Sequence, residues 1–263
     1  MNYESIIYET RGQVAWITLN RPDALNAMNG SLLAELPAAV AAADADKDVW
    51  VIVITGKGRA FCAGADLKNV LKVMNSDDPN AVRHFFEVAS GAFARIEACN
   101  TPIIAAVNGI AAAGGLELIL SCDLVVAAES ARIGDAHSNY GVIPGGGGTV
   151  HLPMKIGPTR AKQLLYTGEL LPAATLYDWG LVNEVVPDDQ LEEATTKLAE
   201  RLAAKSPLVL RRMKELVADS RDASLVSAQR AEIKIWEAHA NSADVLEGLN
   251  AFSEKRQPVY RGK

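Results

Sequence analysis

The chain has 263 residues, 49% hydrophobic and 22% charged, with a net charge of −6. That composition can bury one large core or two small ones and describes a soluble globular protein, whereas the acidic balance argues against binding a nucleic-acid backbone. No apolar run reaches the ~18 residues of a membrane span, and the start, MNYESIIYETRG, lacks the basic and apolar regions of a signal peptide. Three cysteines (Cys62, Cys99, Cys122) without zinc-type spacing fit a reduced, cytoplasmic setting with no disulfide framework.

In chain order, residues 5–19 read as a β-hairpin, with Ile6–Tyr8 and Val14–Leu19 flanking a short Arg11-Gly12-Gln13 turn. Asn29 is placed to cap a helix carrying Leu32, Leu33, Leu36 and Val40, which Pro37 should kink or shift in start. Val49–Thr55 is a buried strand, residues 69–80 a loop or weak helix, and residues 81–98 a strong helix through Val82, Phe85, Phe86, Ala89, Phe93 and Ile96. Ile103–Val107, between Pro102 and Asn108-Gly109, reads as a core strand of a parallel sheet. Leu124–Ala128 and Ala131–Gly134 are two more strands, followed by a loop through Pro144 and Gly145–Gly148. Helices follow at Pro158–Tyr166 and Ala173–Trp179, the second ended by Gly180, then a strand from Leu181 to Val186. From Leu191 onward the pattern is helical, with breaks at Ser206-Pro207, Asp222 and Ser242. Strands alternating with helices and then helices alone predict an α/β core with a helical appendage.

The chemistry concentrates in two stretches. In Ile103–Asp123 a strand runs into Gly114-Gly115 and then into a helix whose first turn holds Glu117. Such a turn aims backbone N–H groups outward, and a carboxylate among apolar neighbours is either satisfied by a partner or working as an acid or base. The plainer alternative is a surface glutamate complementing the helix dipole. In Ile52–Lys68 a second strand runs through Gly56-Lys57-Gly58 into Phe61-Cys62-Ala63-Gly64-Ala65-Asp66. GxxxxGK[ST], GxGxxG, GxSxG and HExxH are all missing, which removes support for phosphate-loop, dinucleotide, serine-hydrolase and zinc-protease chemistry.

The segments TGKGRAFCAGADL and AVNGIAAAGGLELILSCD resemble those of the crotonase (enoyl-CoA hydratase/isomerase) superfamily, as do LNRPDALNAMN, GVIPGGGGTVHLP, WGLVNEVVP and the EKRQP tail. The likeness spans essentially the whole chain. It implies a spiral of repeated ββα units over residues 1–195 and a C-terminal helical trimerisation region over 196–263. It also implies an acyl-CoA substrate, no separate cofactor and a homotrimer or dimer of trimers, with no nucleic-acid or membrane partner.

Reactions of this class put negative charge on a thioester oxygen, and by resemblance the N–H groups of Ala65 and Gly114 form the oxyanion hole that receives it. Ala63, Asp66, Leu67 and Lys68 are implied along the coenzyme A moiety, and Phe252 and Lys255 resemble residues that approach it from the chain's end. Glu117 matches one of the family's two hydratase carboxylates, the implied general base. At the partner position the chain departs from the pattern, with His137 in RIGDAHSNYG where a glutamate is expected. Asp135, two residues earlier, should face the same side on an extended chain. His137 is then either a proton donor paired with Glu117 or a structural histidine beside a base working alone. The first reading gives an enoyl-CoA hydratase; the second favours an isomerase. Asp135 and Tyr140 are also candidates to meet a polar group on an unusual acyl chain, and a non-catalytic acyl-CoA binder is the alternative of another class. His84, beside Phe85-Phe86, is a candidate to border the acyl pocket, whereas His151 and His239 read as structural or surface.

Overall fold

Short apolar strands joined by tight corners set the architecture, which a computed structural model describes for residues 3–263. The expected hairpin forms from β1 (Ile6–Arg11) and β2 (Val14–Leu19), antiparallel across Gly12. Helix α1 (Gly30–Ala45) starts where Asn29 accepts a hydrogen bond from the Leu32 N–H at 2.9 Å. It buries Leu32, Leu33, Leu36 and Val40, and it runs through Pro37 with its start unshifted. Packing outweighs the bond that proline removes.

Three turns of a spiral follow, each laying one strand in a large sheet and the next in a small one. The first is β3 (Val51–Gly56) and β4 (Ala60–Cys62), with α2 (Leu67–Met74) and α3 (Ala81–Glu97) after them. The second is β5 (Ile103–Val107), β6 (Ile110–Ala112) and α4 (Gly114–Leu120). The third is β7 (Leu124–Ala128) and β8 (Arg132–Gly134), then α5 (Gly148–Ile156) and α6 (Pro158–Thr167). A short β9 (Leu171–Pro172), α7 (Ala173–Asp178) and β10 (Glu184–Val186) close the core. The large sheet runs β1-β2-β3-β5-β7-β10, parallel everywhere except β1–β2, and the small sheet runs β4-β6-β8-β9. This is the expected ββα spiral. Every residue of β5 is buried, as a parallel strand covered on both faces requires, and each such Ile or Val contributes roughly 1.5–3 kcal/mol.

Helices α8 (Leu191–Ala203), α9 (Pro207–Asp219), α10 (Leu225–His239) and α11 (Ala243–Ser253) complete the chain. Ser206, Ser224 and Ser242 cap the last three, each accepting from a backbone N–H three residues on. Helix α8 packs on β2, β3, β5 and β7, so the expected boundary between residues 195 and 196 falls inside a helix that covers the core sheet. Helix α9 is tied to the core as well, with Lys214 Nζ donating to Asp123 at 2.7 Å.

Several elements differ from the sequence reading. The segment expected as a loop or weak helix from residue 69 is a helix already at Leu67, because the Asp66 carboxylate caps it by accepting from Lys68 N–H. The three-residue β6 and helix α5 escape periodicity by brevity and by the proline at 153. The last core strand begins at Glu184 rather than Leu181, and the chain after Ser253 leaves the helix.

Asp44, at the end of α1, joins the spiral's turns by accepting from the N–H and hydroxyl of Thr101 at 2.8 and 2.7 Å and from the Asn100 side chain. Burial pushes its carboxyl up, but these donors outweigh it and hold the group below its ordinary range. The stability this adds is present above the unfolded carboxyl's range and lost as pH falls through the folded one. Asp44→Ala should lower urea-unfolding stability by about 1–3 kcal/mol at pH 7, less given its partial exposure, with the deficit shrinking towards pH 3.

Candidate active site

Strand ends from the first two spiral turns meet at a cavity of about 650 Å³, closed by α3 and by the segment from Ala136 to Gly146. The wall between them rests on two backbone irregularities. Gly64 sits at φ +95°, where a Cβ would crowd the Ala112 carbonyl and Ala113 Cβ at 2.9 Å. Ala113 is itself at φ +50°, a strained conformation for a residue with a side chain that costs on the order of 1–3 kcal/mol.

Their consequence is the direction of two N–H groups. Residue 65 pairs with Met28 in an isolated parallel bridge, in which Met28 N–H donates to Gly64 O at 2.7 Å and Asp66 N–H donates to Met28 O at 2.9 Å. That pattern uses the groups on either side of Ala65 and turns its own N–H away. Gly114 opens α4, where no preceding turn supplies a carbonyl. Among the described residues neither N–H has a protein acceptor, and both residues line the cavity. A Cβ on Gly114 would lie 3.7 Å from the Ala65 nitrogen, so the two donors are neighbours.

Glu117, one turn into α4, is 3% exposed. Its Oε1 accepts from Gly146 N–H at 2.7 Å and from Gly148 N–H at 3.1 Å. Its Oε2 faces His137 Nε2 at 4.0 Å. Burial pushes the carboxyl above its ordinary range, with Asp135 adding to the push, although the two amides and the imidazole oppose it. A raised carboxylate with one oxygen occupied and the other open to the cavity is suited to taking up a proton near neutral pH.

His137 enters the site through a turn, not an extended chain. Ala136 adopts φ +56° and a 3₁₀ turn runs from His137 to Tyr140, which folds the imidazole back onto Asp135. Nδ1 lies 2.9 Å from Asp135 Oδ1, leaving Nε2 for the cavity. Burial alone would lower the imidazole's pKa, but Asp135, by hydrogen bond and charge, and Glu117 raise it above its ordinary value. Asp135 is 1% exposed and outside the cavity lining, with its carboxylate against His137.

The other expected residues divide. Ala63, Asp66, Leu67, Lys68 and Tyr140 line the cavity. The Asp66 carboxylate is committed to Arg21 at 3.2 Å and to the α2 cap, and it is held below its ordinary range because those bonds outweigh partial burial. His84 is exposed and points away; the α3 residues on the wall are Phe85, Phe86, Ala89 and Phe93. His151 is paired with Glu97 at 3.4 Å. Phe252 is 86% exposed and Lys255 is also exposed, both outside the cavity lining. The Gly145–Gly148 run within GVIPGGGGTVHLP was singled out by resemblance, but not that the Gly146 and Gly148 amides hold Glu117 or that Phe93 packs on Gly146. The glycine run was the only signal for the two amides.

The enoyl-CoA hydratase/isomerase family matches residues 9–263 of the chain. A curated relative described as "Probable enoyl-CoA hydratase, mitochondrial" from Dictyostelium discoideum is 40% identical, covering 97% of this chain and 90% of that protein. A crotonyl-CoA hydratase from Syntrophomonas wolfei is 37% identical over all of both chains. The crystal structure of an enoyl-CoA hydratase from Bacillus anthracis superposes with a TM-score of 0.94 at 38% identity, covering 99% of this chain and 100% of that one.

Two measurements probe the electrostatics directly. A group whose folded-state pKa is raised adds stability below its unfolded value, ~4.5 for glutamate, that is lost as pH rises through the folded one. Glu117→Gln keeps an acceptor for both loop amides and removes that loss, so its Tm should exceed wild type by a few °C at pH 8, with the gain vanishing towards pH 4. Equal melting at both pH values would show that the carboxylate is not strained by burial. In proton NMR titrations of the four histidines, Asp135→Asn should move the His137 midpoint downward, since it removes the two largest upward influences. An unmoved midpoint would show that Asp135 does not control the ring.

Proposed function

The chain belongs to the enoyl-CoA hydratase/isomerase family, and from that premise we propose how its site adds water to a 2-enoyl-CoA thioester. The enzyme is an enoyl-CoA hydratase. The observation that carries its mechanism is the Glu117 carboxylate, buried and held by two amides on one oxygen, with the other facing His137 Nε2 at 4.0 Å.

The thioester oxygen lies between the Ala65 and Gly114 N–H groups, whose donation offsets the charge that develops as the double bond polarises; each such donor is worth roughly 10²–10³ in rate. Glu117 Oε2 takes a proton from the attacking water as its oxygen bonds to C3. The resulting enolate collects a proton at C2 from His137 Nε2, completing the 3-hydroxyacyl product. Glu117 ends with one proton more and His137 with one fewer, and proton return across the short gap between them restores the site. Asp135 Oδ1 supports the donor by fixing Nδ1 and favouring the protonated ring. In this reading no group beyond the substrate's own coenzyme A takes part.

The acyl side of the cavity is apolar, with Phe85, Phe86, Ala89, Phe93, Val142 and Ile143 along it, and this supports a hydrocarbon acyl group over a charged one. Exposed Met213, Ile233, Trp236 and Leu249 on the C-terminal helices support assembly as a trimer or dimer of trimers. No described helix is long and apolar enough to cross a membrane, and the three buried free cysteines accord with a cytoplasmic enzyme.

The test is hydration of crotonyl-CoA, followed by loss of the conjugated thioester absorbance, with product identified as 3-hydroxyacyl-CoA. Glu117→Gln should cost at least ~10²-fold in kcat and His137→Ala ~10–10³-fold. Activity should fall below the raised Glu117 value, where the base is protonated, and above the raised His137 value, where the acid is spent. A deconjugated enoyl product, or full activity in His137→Ala, would overturn the acid–base pairing.

A further inference from the structure

The loop that holds Glu117 is itself held. Gly147, between the two donating amides, sits at φ +100°, and a Cβ there would lie 2.5 Å from Cδ2 of the His151 ring. The imidazole thus sets its Cδ2–Nε2 edge against the residue between the two amides, Gly146 N–H and Gly148 N–H, that donate to one Glu117 oxygen. His151 is on α5, and its own N–H donates to Gly147 O at 2.8 Å, so backbone and ring grip the same residue.

The ring is tethered in turn. Its Nε2 lies 3.4 Å from Glu97 Oε2, and Glu97 Oε1 accepts from Arg221 Nη1 at 2.7 Å. Glu97 closes α3, one helical turn after Phe93, whose ring packs on Gly146. Adjacent turns of one helix thus press on adjacent loop residues, Phe93 directly and Glu97 through His151. Arg221 comes from the turn between α9 and α10, which carries this support into the C-terminal helices.

We propose that His151 is a positioning residue for Glu117, a shim beneath Gly147 that Glu97 orients and Arg221 anchors. It touches no reacting atom; its effect passes through the loop amides to Oε1. Gly146 and Gly148 hold the ionised form of Glu117, while His137 and Asp135 are the charged groups that face the carboxylate besides them. Loosening the loop removes an influence that lowers the carboxyl's proton affinity. The inference rests on the hydratase reading for its kinetic arm only.

His151→Ala should lower kcat for crotonyl-CoA ~10-fold with KM nearly unchanged, since displacing a catalytic group by a fraction of an ångström acts on the chemical step. The acid limb of the kcat profile should move to higher pH. His151→Phe, which keeps a flat ring without the tether, should recover part of the loss, and Arg221→Gln should reproduce a fraction of it. Infrared difference titration reads the Glu117 carboxylate independently, as the band that Glu117→Gln removes, and its midpoint should rise in His151→Ala. If wild type hydrates no enoyl thioester, that midpoint alone decides the matter. Wild-type kcat with an unmoved carboxylate band overturns the proposal, as does lost stability without a moved band. Should His151→Ala fail to fold, Arg221→Gln on its exposed turn carries the same readings.

Discussion

Burying an ionisable carboxylate is the constraint on which this site depends. A carboxylate 3% exposed would cost several kcal/mol if left unpaired, and the protein meets that cost on one oxygen only. Two amides of a glycine loop satisfy Oε1, while Oε2 is left with an imidazole at 4.0 Å, near enough to stabilise charge and too far to absorb it in a hydrogen bond. The loop's small residues, the aromatic wall of α3 and the Asp135–His137 pair all follow from this half-satisfied state. Full satisfaction would make Glu117 structural, and none would make it neutral.

The spiral supplies what a single βα unit does not. Each turn delivers a strand end to the same edge of the small sheet, so Ala65 after β4 and Gly114 after β6 come together though 49 residues separate them in number. Strain at Ala113 and the left-handed Gly64 are the local cost of aiming both N–H groups into one cavity, offset by a core whose strands are almost wholly buried. The same logic places the His137 imidazole: Ala136 at φ +56° turns the chain after β8 so that Asp135 lies behind the ring it bonds to.

Much of this was legible because it is local. Asn29 announced a helix start through a side chain that accepts from the next turn, the serines at 206 and 242 marked breaks where the structure starts new helices, and the apolar runs at 51–56 and 103–107 announced buried strands. Glu117 was legible as a residue type in a family pattern, and His137 as a departure from it. Backbone donors leave no such trace. Gly146 and Gly148 bond to a residue some thirty positions away through N–H groups that every non-proline residue has, and only their lack of a side chain hinted at a close approach. Asp135 does lie beside His137 as expected, although the contact is made through the turn at Ala136 and not along an extended chain. His84 was misplaced, since a helical step of one residue swings a side chain by about 100°.

The unequal treatment of the two Glu117 oxygens also bears on handedness. With Oε1 held by two loop amides, the carboxylate presents Oε2 to the cavity, so in the proposed reaction water is activated from one direction. In the proposed reaction the thioester, held at its other end by the paired N–H groups, exposes a single face of its double bond to that direction. In the proposed hydration, the oxygen that the backbone leaves free sets the side from which water arrives, and with it, together with the pose of the thioester, which mirror-image alcohol forms.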